Sequence, residues 1–159
     1  MNIEIERKFL LKNDSWKKNA VGIHYAQGYL NQEGENTVRV RIAGEKAFLT
    51  IKSKSKGISR QEFEYEIPLE DAKELLKLSQ TPIVEKIRYK IEYAGKYWEV
   101  DEFLGKNEGL YIAEIELNAE DEAFEKPEWL GKEVSDDKRY YNSRLARKPF
   151  SEWNCSEFQ

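Results

Sequence analysis

The sequence predicts an α+β domain whose antiparallel sheet closes into a β-barrel with a charged interior and flanking helices. Three observations support this fold class. Seven segments alternate polar and apolar residues with the period of two that a β-strand requires. Their polar positions are segregated by sign, acidic on some strands and basic on others. Few segments show a helical period, so few helices are available to cover the apolar side of a flat sheet.

The first strand is predicted over residues 3–11, where Glu4, Glu6 and Lys8 share one face and apolar residues occupy the other. The same alternation predicts six further strands over residues 37–42, 47–54, 60–67, 84–93, 97–103 and 111–117. Short segments containing Gly44 and Gly95 separate neighbouring strands and are typical of hairpin turns. We therefore expect consecutive strands to pair in antiparallel fashion.

Two segments carry helix signals. Residues 69–79 have acidic residues early and lysines late, which suits the helix dipole, and Pro82 follows. Residues 136–147 begin with two aspartates and end before Pro149. Shorter helices are predicted near 15–20 and 120–125. Since no repeat or linker is present, we expect one domain over residues 1–159, with 148–159 as a C-terminal tail.

Composition restricts the function. The chain has 159 residues, of which 40% are hydrophobic and 13% aromatic, as expected of a folded domain. A formal net charge of −4 argues against a basic nucleic-acid binder. No apolar signal segment or membrane-spanning run is visible, so we expect neither a nucleic-acid nor a membrane partner. Cys155 is the single cysteine, which excludes an intrachain disulfide and favours a reducing, cytoplasmic location.

The charged faces have an ordinary explanation as the solvated side of a sheet. Segregation of the signs argues against it, because like charges on neighbouring positions of a strand repel each other. Turning these faces into a closed barrel produces a wet tunnel whose arginines and lysines favour a polyanion. The paired glutamates would chelate Mg²⁺ or Mn²⁺ through carboxylate oxygens. Carboxylates, a divalent metal and a set of cations together are typical of phosphoryl transfer.

These motifs resemble the CYTH superfamily, also called triphosphate tunnel metalloenzymes. The resemblance rests on Glu4-x-Glu6-x-Lys8, Arg39-x-Arg41, the lysine strand around Lys52 and Arg60-Gln-Glu62-x-Glu64. It continues through Glu85-Lys86-Ile-Arg88-Tyr89, Trp98-Glu99-Val-Asp101, Ala113-Glu114-Ile-Glu116-Leu117 and residues 136–143. The closest likeness is to short bacterial members that hydrolyse inorganic triphosphate. The resemblance implies an eight-stranded triphosphate tunnel.

The resemblance also implies roles for individual residues. The metal ligands would be Glu4, Glu6, Glu114 and Glu116. Phosphate oxygens would be held by Lys8, Arg39, Arg41, Lys52, Arg60, Lys86 and Arg88, with Glu62, Glu64 and Asp101 in supporting positions. Lys86 is the first candidate to position or deprotonate the attacking water, with Lys8 and Lys52 as the other candidates. Crowding by Arg88 should lower the pKa of Lys86, which predicts an alkaline pH optimum.

Three functions remain open at this point. The preferred one is metal-dependent hydrolysis of inorganic tripolyphosphate to pyrophosphate and phosphate. The second is a class IV adenylate cyclase or a nucleoside or thiamine triphosphatase on the same scaffold. The third is a non-catalytic polyphosphate-binding domain, which would gain nothing from intact acidic strands. His24, Cys155 and Ser143 carry no pattern that suggests catalysis. The sequence leaves open whether the chain is a monomer or a homodimer and whether the last helix plugs the tunnel.

Overall fold

A computed structural model describes residues 2–18, 20–31, 34 and 36–153. Within these residues it contains nine strands in one antiparallel sheet. The strands are β1 (Ile3–Leu11), β2 (Gly22–Tyr29), β3 (Thr37–Ala43), β4 (Lys46–Lys52), β5 (Ser59–Ile67), β6 (Val84–Tyr93), β7 (Lys96–Phe103), β8 (Tyr111–Leu117) and β9 (Leu130–Glu133). All seven strands predicted from the alternation are present, with small differences at their ends.

The sheet closes on itself through β1. Its strand order is β5-β4-β3-β2-β6-β7-β8-β1-β9, and β5 pairs in addition with β1. Along one edge, β1 first pairs with β5, where Ile3 lies opposite Gln61, and then with β9, where Phe9 lies opposite Glu133. Its other edge pairs with β8 throughout. Eight strands therefore form a closed barrel, as predicted, and β9 extends the wall beside β1.

Two strands were missing from the prediction. In β2, Ala26 and Gly28 replace the large apolar residues that would mark the outward face, so the alternation is weak. Gly28 is small because the strand passes close to Ser79: a Cβ atom at Gly28 would lie 2.6 Å from the Ser79 hydroxyl oxygen. The other missing strand, β9, has only four residues, too few to show a period.

The helices are shorter than predicted. α1 spans Leu69–Leu76 and ends three residues before the predicted boundary. The predicted helix over 136–147 is wrong in its first half: a 3₁₀ turn spans Lys138–Tyr140 and α2 spans only Asn142–Arg147. The two aspartates that predicted the start of a helix precede the 3₁₀ turn instead. The Asp137 carboxylate accepts a hydrogen bond from the Arg139 backbone N–H at the start of that turn.

The remaining helix predictions have mixed outcomes. Ser15–Lys17 form a 3₁₀ turn within the segment predicted over 15–20, whereas residues 120–125 form no helix. Two further 3₁₀ turns, Gly105–Asn107 and Phe150–Glu152, were not predicted. Among the described residues, no helix has the length and apolar character needed to cross a membrane.

The apolar residues pack on the outside of the barrel, beneath the connecting segments. Trp98 is fully buried there and makes edge-to-face contacts with Phe9, Phe124 and Trp129, at centroid distances of 5.6, 5.7 and 5.9 Å. A second cluster lies under α2 and includes the buried Trp153. Residues 148–153 of the expected tail thus pack against the domain, and the rest of that tail, including Cys155, lies outside the described residues.

Replacement of Trp98 by alanine tests the outer core. We expect Trp98→Ala to reduce the free energy of unfolding by about 3–5 kcal/mol, because it removes a fully buried aromatic ring and leaves a cavity. Tyr65→Ala is the control, since Tyr65 is 56% exposed on β5 and should cost less than about 1 kcal/mol. Urea unfolding of both variants measures the difference, and equal losses would contradict this description of the core.

Candidate active site

The barrel encloses a polar cavity of about 260 Å³. Its charged lining consists of Glu4, Glu6, Lys8, Arg39, Arg41, Lys52, Arg60, Glu62, Glu64, Arg88, Glu99, Glu114 and Glu116. The period of two along each strand brings these side chains to one face, and closure of the sheet turns that face inward. Of the residues singled out from the sequence for this site, all but Lys86 and Asp101 line the cavity.

The glutamates meet because of the strand register. Glu6 lies opposite Glu116 across the β1–β8 pair, and Glu4 lies opposite Arg60 across the β1–β5 pair. One carboxylate oxygen each from Glu4, Glu62 and Glu116 lie within 4.8 Å of one another. This grouping differs from the predicted metal set in two ways: it includes Glu62, which the sequence assigned to a supporting position, and it lacks Glu6 and Glu114.

The first strand holds its glutamates ionised by pairing them with cations. Burial raises the pKa of Glu4, but Lys52 and Arg60 outweigh that effect and lower it to about 2. Burial acts on Glu6 in the same sense, and Lys8 lowers the pKa of that group to about 2 as well. Both carboxylates are therefore charged at neutral pH and available as ligands.

Glu116 is different. Burial, together with the nearby carboxylates of Glu4, Glu62 and Glu6, raises the pKa of Glu116 to about 7. Carboxylates that lie this close together repel one another when all of them are ionised. A hard divalent cation suits such a cluster, because it binds several carboxylate oxygens and relieves their repulsion. We conclude that the residues present fit a divalent metal held by Glu4, Glu62 and Glu116.

Cations surround these carboxylates. The Lys8 ammonium lies 3.0 Å from Glu6 and 3.2 Å from Glu114. The Lys52 ammonium lies 3.1 Å from Glu4 and 3.3 Å from Glu62. Both lysines line the cavity, so an anion bound there would compete with these carboxylates for the ammonium groups.

The Arg39 guanidinium does not find hydrogen-bond acceptors for all of its N–H groups among the described residues. Its terminal nitrogen donates to the Thr50 hydroxyl at 3.3 Å and lies 3.6 Å from Glu64. Its Nε is buried and has no hydrogen-bond acceptor among the described residues. An unpaired buried donor is costly, and the Arg39 side chain also lines the cavity.

Lys86 lies behind the lining of the cavity. The side chain is fully buried, and its ammonium donates to Asp101 at 2.7 Å and to the Asn142 side-chain oxygen at 2.8 Å. Arg88 binds the same aspartate through two nitrogens, at 2.7 and 2.8 Å. Burial lowers the pKa of Lys86 well below its usual value, with Arg88 and Arg41 adding to the shift and Asp101 opposing it.

The start of α2 contributes side chains to the cavity. Tyr141, Asn142 and Ser143 belong to the lining, and the Tyr141 ring lies 6.0 Å from the Lys8 ammonium and 5.8 Å from the Arg60 guanidinium. Asn142 is hydrogen-bonded to Gln27 of the barrel wall. The start of α2 therefore forms part of the cavity wall, and Tyr141 and Ser143 also line a neighbouring polar cavity of about 350 Å³.

Several lining residues were missed by sequence reasoning. Tyr25 and Tyr29 come from β2, the strand whose outward face is too small to reveal it. Gln27 lies between them in the wall and is fully buried. The signal that was available is the alternation of Tyr25, Gln27 and Tyr29 themselves. His24, which carried no catalytic pattern, is exposed on the outer face, 2.9 Å from Glu85.

A family model described as the CYTH domain matches residues 2–144 of the chain. The chain belongs to the CYTH family. An inorganic triphosphatase from Acetivibrio thermocellus is 51% identical over 151 residues, covering 94% of this chain and 97% of the relative. An inorganic triphosphatase from Nitrosomonas europaea is 38% identical over 148 residues, covering 90% and 96%.

Solved structures agree with this assignment. The crystal structure of an inorganic triphosphatase is 36% identical and has a TM-score of 0.65, covering 90% of this chain and 93% of that one. A putative adenylate cyclase from Bacillus halodurans, 17% identical with a TM-score of 0.54, covers 76% of this chain and 84% of its own. At that identity the likeness shows the fold alone. CYTH family membership implies a divalent metal.

Metal binding should release a proton. At pH 6.5 most Glu116 side chains are protonated, because the pKa of this group is about 7, and a divalent cation must displace that proton. Titration calorimetry with Mn²⁺ in two buffers of different ionisation enthalpy measures the release, which we expect to exceed about half a proton per metal and to fall towards zero at pH 8.5. Metal affinity should rise over the same range.

Glu116→Gln is the matched control for that titration. It keeps the size of the side chain and removes the titrating group, so the variant should bind the metal more weakly and release no proton in this pH range. Release from the variant equal to that from the wild type would show that another group titrates.

Proposed function

We propose that this chain is a metal-dependent inorganic triphosphatase, which hydrolyses tripolyphosphate to pyrophosphate and phosphate inside its barrel. The observation that carries the proposal is the cavity of about 260 Å³ in which a carboxylate cluster faces arginines and lysines. Such a lining matches a short, highly charged phosphate chain with a divalent cation. Both curated relatives reported above bear the name inorganic triphosphatase.

The charged lining favours a bare phosphate chain. A cyclase or nucleotide triphosphatase requires in addition a pocket for the organic group, whereas the lining described here is mostly of charged side chains. Tripolyphosphate needs only charge and hydrogen bonds, which the lining supplies.

The metal is Mg²⁺ or Mn²⁺ in this proposal, since carboxylate oxygens suit these hard ions. Glu4, Glu62 and Glu116 would hold it, and Glu6 and Glu114 lie beside them along β1 and β8. When bound, the metal polarises phosphoryl oxygens and neutralises negative charge that develops during transfer.

The cations of the cavity position the phosphate chain. Arg39 offers an unpaired N–H, and Lys8, Lys52 and Arg60 each present a charged group at the edge of the carboxylate cluster. Binding all three phosphates at once fixes the terminal phosphorus for in-line attack by water, and the bond to the bridging oxygen breaks as pyrophosphate leaves.

We propose Lys52 for the role at the attacking water that the sequence assigned first to Lys86. Lys52 lines the cavity, whereas the Lys86 ammonium is held behind the lining by Asp101 and Asn142. A group that orients or deprotonates water must lie within hydrogen-bond reach of it. The alkaline pH optimum stays a prediction.

The other expectations about this protein stay predictions as well. A cytoplasmic location is supported by the single cysteine, which excludes a disulfide within the chain. The substrate is a small polyanion rather than nucleic acid or a membrane. Sedimentation would decide between a monomer and a homodimer.

The metal cluster is tested by removing one charge from it. Glu4→Gln should lower Mg²⁺-dependent phosphate release from tripolyphosphate by about 100-fold or more, because the carboxylate set loses a ligand. Glu66→Gln is the matched control: Glu66 lies on β5 on the polar face that carries Glu62 and Glu64, but is exposed and outside the lining. Undiminished turnover in Glu4→Gln would overturn the proposed site.

The two lysines are separated by a second pair of variants. Lys52→Met should lower kcat by about 100-fold or more. Lys86→Met should keep more activity, since Arg88 still neutralises Asp101. Stopped-time phosphate assays with thermal unfolding as a check on folding measure both. An active Lys52→Met beside an inactive, folded Lys86→Met would return the role to Lys86.

A further inference from the structure

One cation of the cavity differs from the others in its partner. Lys8, Lys52, Arg60 and Arg88 each contact at least one carboxylate, and Arg39 lies 3.6 Å from Glu64. Arg41 makes no salt bridge with another described residue. Its Nε donates instead to the side-chain oxygen of Gln27 at 2.8 Å. The acceptor that orients this guanidinium is therefore neutral.

Strand register explains how the pair forms. Gln27 on β2 lies directly opposite Arg41 on β3, so the two side chains point into the barrel side by side. Gln27 is fully buried and Arg41 is 9% exposed. Burial, with Arg39 and Arg88 nearby, lowers the pKa of Arg41 to about 9. Its charge is thus kept in the barrel wall with no carboxylate in a salt bridge to it among the described residues, and the Asp101 carboxylate opposes the lowering of its pKa only from a distance.

Gln27 is also hydrogen-bonded to the first residue of α2. Its amide nitrogen donates to the Asn142 side-chain oxygen at 2.9 Å and to the Tyr29 hydroxyl at 3.3 Å. The Asn142 oxygen also accepts from the Lys86 ammonium at 2.8 Å. A buried chain of hydrogen bonds therefore runs from Arg41 through Gln27 and Asn142 to Lys86.

The two cations fix the direction of this chain. A guanidinium N–H can only donate, so the Gln27 oxygen must face Arg41 and its NH₂ group must face Asn142. Asn142 must then present its oxygen both to that NH₂ group and to Lys86. Each amide has one orientation that satisfies all of its neighbours, and reversing either one brings two donors together. The network consequently holds Arg41 in a single position.

We propose that Gln27 is a positioning residue that aims the Arg41 guanidinium at the phosphate chain while leaving its charge uncancelled. This role rests on the proposed function. A glutamate at this place would also accept from Arg41, but it would neutralise the guanidinium, compete with the phosphate and lose the NH₂ group that donates to Asn142. An amide orients without that competition, so the full charge of Arg41 remains available to the substrate.

The isosteric variant Gln27→Glu tests the inference, with Gln27→Met and Gln80→Glu beside it. Gln27→Glu supplies the missing counter-charge, and Gln27→Met removes the orienting oxygen without adding charge. Gln80→Glu makes the same chemical change at an exposed residue outside the cavity lining. Titration calorimetry with tripolyphosphate in the absence of metal measures affinity, and steady-state assays with Mg²⁺ separate KM from kcat.

We expect metal-free affinity to fall by about tenfold or more in Gln27→Glu, because a charge-assisted contact to phosphate is lost. Gln27→Met should lie between it and the wild type, and Gln80→Glu should stay within about twofold of wild type. The KM for tripolyphosphate should rise more than kcat falls, and because both variants of Gln27 lose the donor to Asn142, the difference between them isolates the added charge.

Specific results would overturn this role. Affinity of Gln27→Glu within twofold of wild type, or of Gln27→Met as weak as Gln27→Glu, would show that the neutrality of the partner is irrelevant. Wild-type affinity in Gln27→Met would show that no positioning is needed, even if Gln27→Glu failed to fold. Absence of tripolyphosphate hydrolysis by the wild type would instead overturn the proposed function, and this role with it.

Discussion

Pairing of opposite charges across neighbouring strands is the interaction on which the rest of this structure depends. The interior of the barrel holds more ionisable groups than an ordinary protein core could contain, since a buried charge without a partner is strongly unfavourable. β1 places glutamates and a lysine on one face, and β5 and β8 supply partners from either side. Closing the barrel brings these partners into contact and so makes the polar interior sustainable.

A charged interior requires the hydrophobic core to lie elsewhere. In this barrel the core lies on the outer face, where Trp98 and its aromatic neighbours pack beneath connecting segments and where α2 covers a second cluster. The same strands thus stabilise the domain through their outer residues and bind through their inner ones.

Three residues of the cavity lack a full complement of oppositely charged or hydrogen-bonding partners. Glu116 resists ionisation among its acidic neighbours, Arg39 keeps an unpaired N–H, and Arg41 has a neutral partner. The first of these lies in the carboxylate cluster and the others lie among the cations. A divalent metal and a phosphate chain would each complete one part, which is why we regard the unbound barrel as prepared for both.

Much of this architecture was predictable because it depends on period and sign. Alternation located seven of the nine strands, and segregated charges on them indicated a closed, polar interior and most of its lining. The features that were not predicted depend on contacts between distant segments, which the alternation of residue types along one strand does not reveal. β2 has a small outer face because it passes Ser79, and Gln27 gains its role only from a register with β3. Lys86 lies behind the lining of the cavity because its ammonium is hydrogen-bonded to Asp101 and Asn142, which are distant from it in sequence.

The most direct test of the account is the substrate preference of the purified protein. Phosphate release from tripolyphosphate, ATP and thiamine triphosphate, and cyclic AMP formation from ATP, would be compared with Mg²⁺ and with Mn²⁺. A cavity whose charged lining suits a bare phosphate chain predicts strong preference for tripolyphosphate and no cyclic AMP. Equal or faster turnover of ATP, or formation of cyclic AMP, would contradict it.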